Sequence, residues 1–332
     1  VNNNKFDNPD KYIERRNLVD ADTGENLGNK LMVSDETQVN IHSKKLDDSR
    51  KEYFDRKHRK DLFDEIAEGF TFTYINKVSE LHEDERFTDD EKARIMYLGT
   101  FVNYSDKGSM LVVANGEPIN KKQLKELLEI SNKKKFYSFY TKLLVAEIIE
   151  EVPTEAGIGF KWSEAYHFKG KVTKGNSVES ERFIKTYDKQ IQELYQAKKA
   201  NGKPVNSSKQ LYTVFMVLPF VHYETNVLCK FPNKPFSECE PLTIDELASS
   251  LGFNRSNDLK RKMLKVELKE LPVFSFNTTS KNTHITVNPF VVWRQNKMPE
   301  ASLMVTFFDT AKRIAGRKGM KIELKDLIKL PQ

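Results

Sequence analysis

The sequence predicts a mainly α chain with small β-hairpin wings, an α+β fold in which one module is used twice. Three observations predict it. The string EPINKKQLKELL at residues 117 to 128 returns as EPLTIDELASSL at residues 240 to 251, 123 positions later and without a gap. The apolar positions survive that shift while the polar ones change: Ile119 falls on Leu242, Leu124 on Leu247, Leu128 on Leu251, Ile130 on Phe253, Phe136 on Leu259, Tyr140 on Met263 and Leu143 on Val266. Each copy then runs into an apolar clump of hairpin character, EIIEEV in one and LPVFSFNTTSKNTHITVNPF in the other. Conserving buried positions while varying the surface is what two copies of one core require.

The elements follow from local signals. Residues 1–48, rich in Asn, Asp and Lys, carry no sustained apolar period and read as a loosely ordered arm. A helix follows through Tyr53, Phe54, Phe63 and Ile66 and stops at Gly69. Thr88 and Glu91 form a capping-box pair ahead of a helix over 89–104, striped by Ile95, Leu98, Phe101 and Val102. MLVVANGE is a short strand ending in the turn pair Asn115-Gly116. Asn120 caps a helix over 121–129, and Ser131 or Asn132 caps the next, whose inward stripe is Phe136, Phe139, Tyr140, Leu143 and Leu144. Pro153, Gly157 and Gly159 punctuate a hairpin. Residues 169–178 read as a linker, and a long amphipathic helix is expected from Glu179 through Phe183, Tyr187, Ile191, Leu194 and Tyr195. A largely buried helix interrupted by Pro219 comes next, before the second copy.

That order of helix, short strand, helix, turn, helix and hairpin is the winged helix-turn-helix, here expected twice in tandem. The expected divisions are an arm at 1–48, a first winged-helix domain with its leading helix at 49–170, a second at 171–310 and a basic tail at 311–332. In each copy the first helix of the pair braces the second, which can enter a DNA major groove.

Through ARIMYLGTFVNYS, NGEPINKKQLKELLEISNKKKFYSFYTKLL, LTIDELASSLGFNRSNDLKRKML and ITVNPFVVW, the chain resembles the tandem winged-helix replication and regulatory proteins of phages, plasmids and other mobile elements of low-GC Gram-positive bacteria. The resemblance covers about residues 85 to 310 and rests on pattern. It implies a sequence-specific double-stranded DNA-binding protein, a transcriptional regulator of such an element, with an origin-binding replication initiator as the alternative. A module that recruits a polymerase or helicase is a third reading. Partners are then DNA and replication or transcription proteins.

The expected DNA-facing residues lie opposite the apolar stripe. In the first copy they are Asn132, Lys133, Lys134, Tyr137, Ser138, Thr141 and Lys142, and in the second Asn254, Arg255, Ser256, Asn257, Lys260, Arg261 and Lys265. Lysines and arginines neutralise phosphates, whereas Asn132, Asn257 and Arg261 have the donors and acceptors to read base edges. The wings add Lys161 and Lys169, with Trp162 a packing residue, and Lys281 and Asn282. A last basic cluster is Lys312, Arg313, Arg317 and Lys318.

Composition sets the other bounds. With 54 Lys and Arg against 48 Asp and Glu, the net charge of +6 is mild and says little until the cations are placed on one surface. The two cysteines, Cys229 and Cys239, suit neither a disulfide framework nor a zinc site. Six isolated histidines give no close metal pair, and no GxxxxGK[ST] loop is present. No cofactor, metal or catalytic function is therefore expected. The chain has no apolar run of membrane length and no signal-peptide centre at its start, so a bacterial cytoplasmic, nucleoid-associated setting is expected, with no membrane. Tyr12, Ile13 and the arm around them leave room for a homodimer contact, although apolar residues there are sparse.

Overall fold

A computed structural model describes residues 14–19, 26–32, 44–155, 157–170, 183–278 and 283–328, with side chains from Asp48 onward. The expected linker beyond Gly170, the arm residues Tyr12 and Ile13, and Lys281 and Asn282 lie outside the described residues. The chain is mixed helix and strand with small antiparallel sheets. Among the described residues no helix is long and apolar enough to cross a membrane.

Within the stretch read as an arm, strands β1 (Glu14–Val19) and β2 (Asn26–Met32) pair antiparallel as a hairpin. Helix α1 (Lys44–Ala67) buries Phe63, Ile66 and Ala67 and ends before Gly69, whose φ of +40° suits a residue without Cβ. Tyr53 and Phe54 do not join that stripe and stay exposed.

The first module begins with β3 (Phe70–Tyr74) and α2 (Ile75–Glu83). Helix α3 (Asp89–Leu98) carries the Thr88–Glu91 capping box but is shorter than expected. Its last turn tightens to a 3-10 turn over Gly99–Phe101, where the Thr100 hydroxyl donates to the Tyr97 carbonyl at 2.7 Å. Then come α4 (Lys121–Leu127), α5 (Lys133–Val145), the hairpin β4 (Ile149–Thr154) and β5 (Gly157–Trp162), and the short strand β6 (His167–Phe168).

The second module repeats this order. It runs β7 (Phe183–Tyr187), α6 (Asp188–Gln196), α7 (Ser208–Met216), α8 (Ile244–Ser250) and α9 (Ser256–Leu264). A small hairpin of β8 (Glu267–Leu268) and β9 (Leu271–Pro272) follows, then the hairpin β10 (Phe274–Thr278) and β11 (Thr283–Val287), and β12 (Val292–Trp293). The long helix expected from Glu179 is thus corrected: Phe183 to Tyr187 form a strand buried at all five positions. A strand covered on both faces has no polar alternation, and Phe183 and Tyr187, four apart, mimic a helical stripe.

Two backbone bonds and a capping box recur at matching positions. Leu111 N–H donates to the Phe160 carbonyl at 2.8 Å and Leu228 N–H to the Ile285 carbonyl at 2.8 Å. Ile119 N–H reaches the Leu111 carbonyl at 2.9 Å and Leu242 N–H the Leu228 carbonyl at 2.9 Å. Asn120 and Thr243 both form capping boxes, with Gln123 and Glu246. Asn120→Ala and Thr243→Ala should each cost about 1 kcal/mol of unfolding free energy, measured by urea titration.

A four-stranded sheet of order β12-β7-β3-β6 joins the modules. Phe70 lies opposite Tyr187, Phe72 opposite Lys185 and Tyr74 opposite Phe183, so this register maps onto itself when the two strands exchange. The flanking strands obey the same exchange: Phe72 pairs with Phe168 where Lys185 pairs with Trp293, and Thr73 with His167 where Thr186 pairs with Val292. The central strands and their flanking partners are therefore related by a local twofold normal to the sheet. Helices α3 and α7 pack on each other.

The segment after residue 310 is not a tail. Helices α10 (Ala301–Thr306), α11 (Phe308–Arg317) and α12 (Leu324–Leu327) fold onto the rest, with Thr310, Ala311, Ile314 and Ala315 buried. Of the expected cluster, Arg313 pairs with Glu270 at 3.0 Å, Arg317 with Glu193 at 2.5 Å and Lys318 with Glu68 at 3.1 Å. Those cations are spent on neighbours.

One buried base has a pH consequence. His167 in β6 is enclosed, with no hydrogen-bond partner for either ring nitrogen among the described residues, and burial pushes its pKa down to about 3. Between that value and the ordinary 6.5 the unfolded chain binds a proton that the folded chain refuses, so stability falls as pH drops below 6.5. His82, lowered by burial and then by the Lys92 charge, acts in the same direction. Denaturant titrations across pH 7 to 4 should show that loss, and it should be shallower in His167→Leu.

Candidate nucleic-acid interface

Helix α5 is positioned from inside. Phe136, Phe139, Tyr140 and Leu143 are buried, and Ile130 in the turn before it bonds back through its N–H to the Lys125 carbonyl at 3.4 Å. Its outer side presents Lys133, Lys134, Lys135, Tyr137, Ser138 and Thr141, all exposed, with Tyr137 44 % accessible. Lys121, at the start of α4, pairs with Glu151 at 3.3 Å and places its ammonium 4.1 Å from the Tyr140 ring centroid and 5.9 Å from that of Tyr137. Helix α9 is set in the same way by buried Leu259 and Met263, with the Phe253 N–H on the Ala248 carbonyl at 2.8 Å. Asn254, Arg255, Asn257, Lys260, Arg261 and Lys265 are exposed on and around it, and Ser256 is half-buried.

The modules are tied to each other near these helices. The Tyr195 hydroxyl on α6 donates to the Leu128 carbonyl at 2.8 Å, in the turn between α4 and α5. The His82 ring on α2 meets the Tyr212 hydroxyl on α7 at 3.1 Å.

Lys142 and Lys169 are placed elsewhere than expected, and Lys161 and Asn132 are exposed with altered surroundings. Lys142 turns to Glu91, 2.8 Å away, with the Phe87 ring beneath it, and leaves the outer face. Lys169 is not on the wing: it pairs at 2.7 Å with Asp188, a carboxyl that also accepts from the Thr71 hydroxyl at 2.7 Å. Burial raises the pKa of Asp188, and the Lys169 charge and these hydrogen bonds oppose that rise. Lys161 is exposed on β5 but lines a groove of about 760 Å³ with Glu147, Glu150, Glu151 and Glu164, so the root of the first wing is acidic and repels phosphate. Asn132 spends its side-chain oxygen on the Lys135 N–H at 3.0 Å, capping α5, and only its amide hydrogens remain to donate. Trp162, 1 % accessible, is a packing residue as expected.

In the second module Asp258 interrupts the positive face. It accepts from the Arg261 guanidinium at 2.6 Å and lies 3.4 Å from the Arg255 Nε. Asp258→Asn should free both arginines and tighten binding to a DNA duplex about three- to tenfold at low salt, read by fluorescence anisotropy. Lys260 sits 5.8 Å from the Phe276 ring and Lys262 faces Asp89 across the modules at 3.9 Å.

Among the described residues no cluster of three metal-ligating side chains occurs. What the arrangement offers chemically is two cationic, donor-rich helical surfaces held by a common core. Comparison of this chain with protein-family models, with curated proteins and with solved structures finds no match.

Proposed function

We propose that the chain is a sequence-specific double-stranded DNA-binding protein, two winged helix-turn-helix modules fused about an internal twofold, acting as a transcriptional regulator of a phage or mobile element. The observation that carries the reading is that both modules expose a cationic helix at the corresponding position, and that the modules are tied together through Tyr195–Leu128 and His82–Tyr212. The reading extends the sheet's local twofold to α5 and α9, which would then face the same end of its axis. The two helices differ in their side chains, Lys134, Tyr137, Ser138 and Thr141 against Asn257, Lys260 and Arg261. One chain then reads two dissimilar half-sites in opposed orientation, about 10 bp apart.

The internal twofold favours a second reading, the origin-binding initiator. A chain that carries both half-site readers fills one site alone and can occupy tandem copies of it without first dimerising.

Selection of bound duplexes from a random pool, with the full chain at two salt concentrations, tests the proposal. Enriched sequences should hold two opposed, unlike half-sites and should be lost steeply as salt rises. No enrichment at either salt concentration would overturn it.

A further inference from the structure

The only two cysteines of the chain, Cys229 and Cys239, stand at the two ends of the loop CKFPNKPFSEC, and neither cationic helix makes use of them. The loop lies between Leu228 and Leu242, where the first module has only the shorter turn from Leu111 to Ile119. Cys229 is bridged antiparallel to Pro241. That rung is bracketed by the Lys230 N–H on the Glu240 carbonyl and the Leu242 N–H on the Leu228 carbonyl, both at 2.9 Å. The bracketing makes Cys229 and Pro241 the non-hydrogen-bonded type of pair, in which facing side chains stand closest. Cys239 is extended, with φ −74° and ψ 124°, and side chains alternate along an extended chain. Two residues before Pro241, Cys239 therefore returns to the face of the ladder that holds Cys229, and such diagonal neighbours are within reach of each other.

The two thiols also perturb one another. Burial raises the pKa of Cys229 most and Cys239 raises it next, while Cys229 opposes the rise that burial gives Cys239. Access divides their roles, since Cys229 is buried and Cys239 only half-buried. The loop between them is anchored to the module. His222 accepts the Glu224 N–H on Nδ1 at 3.2 Å and donates from Nε2 to the Lys234 carbonyl at 2.8 Å, and the Arg294 guanidinium donates to Asn233 Oδ1 at 2.7 Å. Lys230, next to Cys229, pairs at 2.9 Å with Glu246, the capping-box acid of α8. A buried cysteine is ordinarily no more than a small hydrophobe. A small hydrophobe has no need of a second thiol on the same face.

We propose that Cys229 and Cys239 form a reversible disulfide site, oxidised by thiol–disulfide exchange with a low-molecular-weight disulfide. Cys239, the accessible thiol, loses its proton to water, and its thiolate attacks one sulfur of the small disulfide. That S–S bond breaks, and one small thiolate leaves and takes up a proton. Cys229 then gives up its proton and attacks the Cys239 sulfur of the mixed disulfide, displacing the second small thiolate, which is protonated in turn. Two protein thiols are thereby oxidised by two electrons, and one small disulfide is reduced to two thiols. The new bond closes the base of the loop and, through Lys230 and Glu246, holds it to the start of α8, the helix that packs on α9. The site stands whether or not the chain binds DNA.

The test uses the full native chain with glutathione disulfide as the oxidant, read by intact mass and by thiol titration after denaturation. Wild type should lose both thiols and become lighter by two hydrogens, with no glutathione attached and no chain linked to another on a non-reducing gel. Cys229→Ala should stop at one glutathione adduct on Cys239, because the resolving thiol is gone. Cys239→Ser should keep its remaining thiol, because Cys229 is buried. Oxidised wild type should unfold at a higher urea concentration than reduced wild type, since the cross-link restricts the unfolded chain, and dithiothreitol should reverse the shift. A lasting adduct on wild type, two intact thiols, or linkage between chains overturns the proposal. So does a urea midpoint that oxidation fails to raise, which would put the two sulfurs out of bonding reach in the folded chain.

Discussion

Changing Gly99 to alanine should lower the unfolding free energy by about 3 kcal/mol. Gly99 has φ −55°, so an alanine fits its backbone, and the cost is purely steric. An added Cβ would stand 2.6 Å from Cδ2 and Cγ of His167 and 2.7 Å from its Nδ1. That ring is enclosed, tied into the central sheet through β6 and backed by Trp162 at 5.6 Å between centroids, so it has nowhere to withdraw. Gly116→Ala gives the contrast. Gly116 has φ +86° and nothing within 4 Å, so its loss is backbone strain alone, about 1 kcal/mol. Urea titrations with unchanged m-values should separate the two, and near-equal costs would show that the His167 ring is not packed against Gly99 as described.

The second large effect is on binding. On the proposed function, Lys134→Ala/Tyr137→Ala and Lys260→Ala/Arg261→Ala should each weaken DNA binding about a hundredfold at low salt, because each would remove a phosphate or base-edge contact at a solvent-facing position. Thermal stability should stay within about 0.5 kcal/mol of wild type, since these side chains are exposed. Combining the pairs should abolish specific binding, as neither module then holds the duplex while the other rebinds. Lys142→Ala and Lys169→Ala make the opposing case. Both cations serve internal acids, Glu91 and Asp188, and their removal should leave affinity unchanged. Unchanged affinity in both double variants would remove α5 and α9 from the interface.

What was legible in the sequence was local. The capping residues Thr88 and Asn120, and Asn132 as one of two candidates, were readable because an N-cap bond spans three residues, and the stripes of α5 and α9 because burial repeats every turn. The central sheet was not. Strand β7 is buried throughout and has no alternation, and β6 and β12 are two residues each, too short for any period. The candidate site follows the same divide. Lys133, Lys134 and Lys260 were correctly expected to be exposed, whereas the fates of Lys142 and Lys169 depend on acids distant in sequence, as does that of Arg317 on Glu193. No window of neighbouring residues contains both partners.

Hydroxyl-radical footprinting of the full chain on one selected duplex tests the central claim most directly. Two helices offered to one duplex about a twofold should protect two backbone patches on one face of the DNA, about a helical turn apart, from a single bound chain. Each patch should vanish separately, one with Lys134→Ala/Tyr137→Ala and the other with Lys260→Ala/Arg261→Ala. A single patch, lost with one double variant and indifferent to the other, would contradict the account.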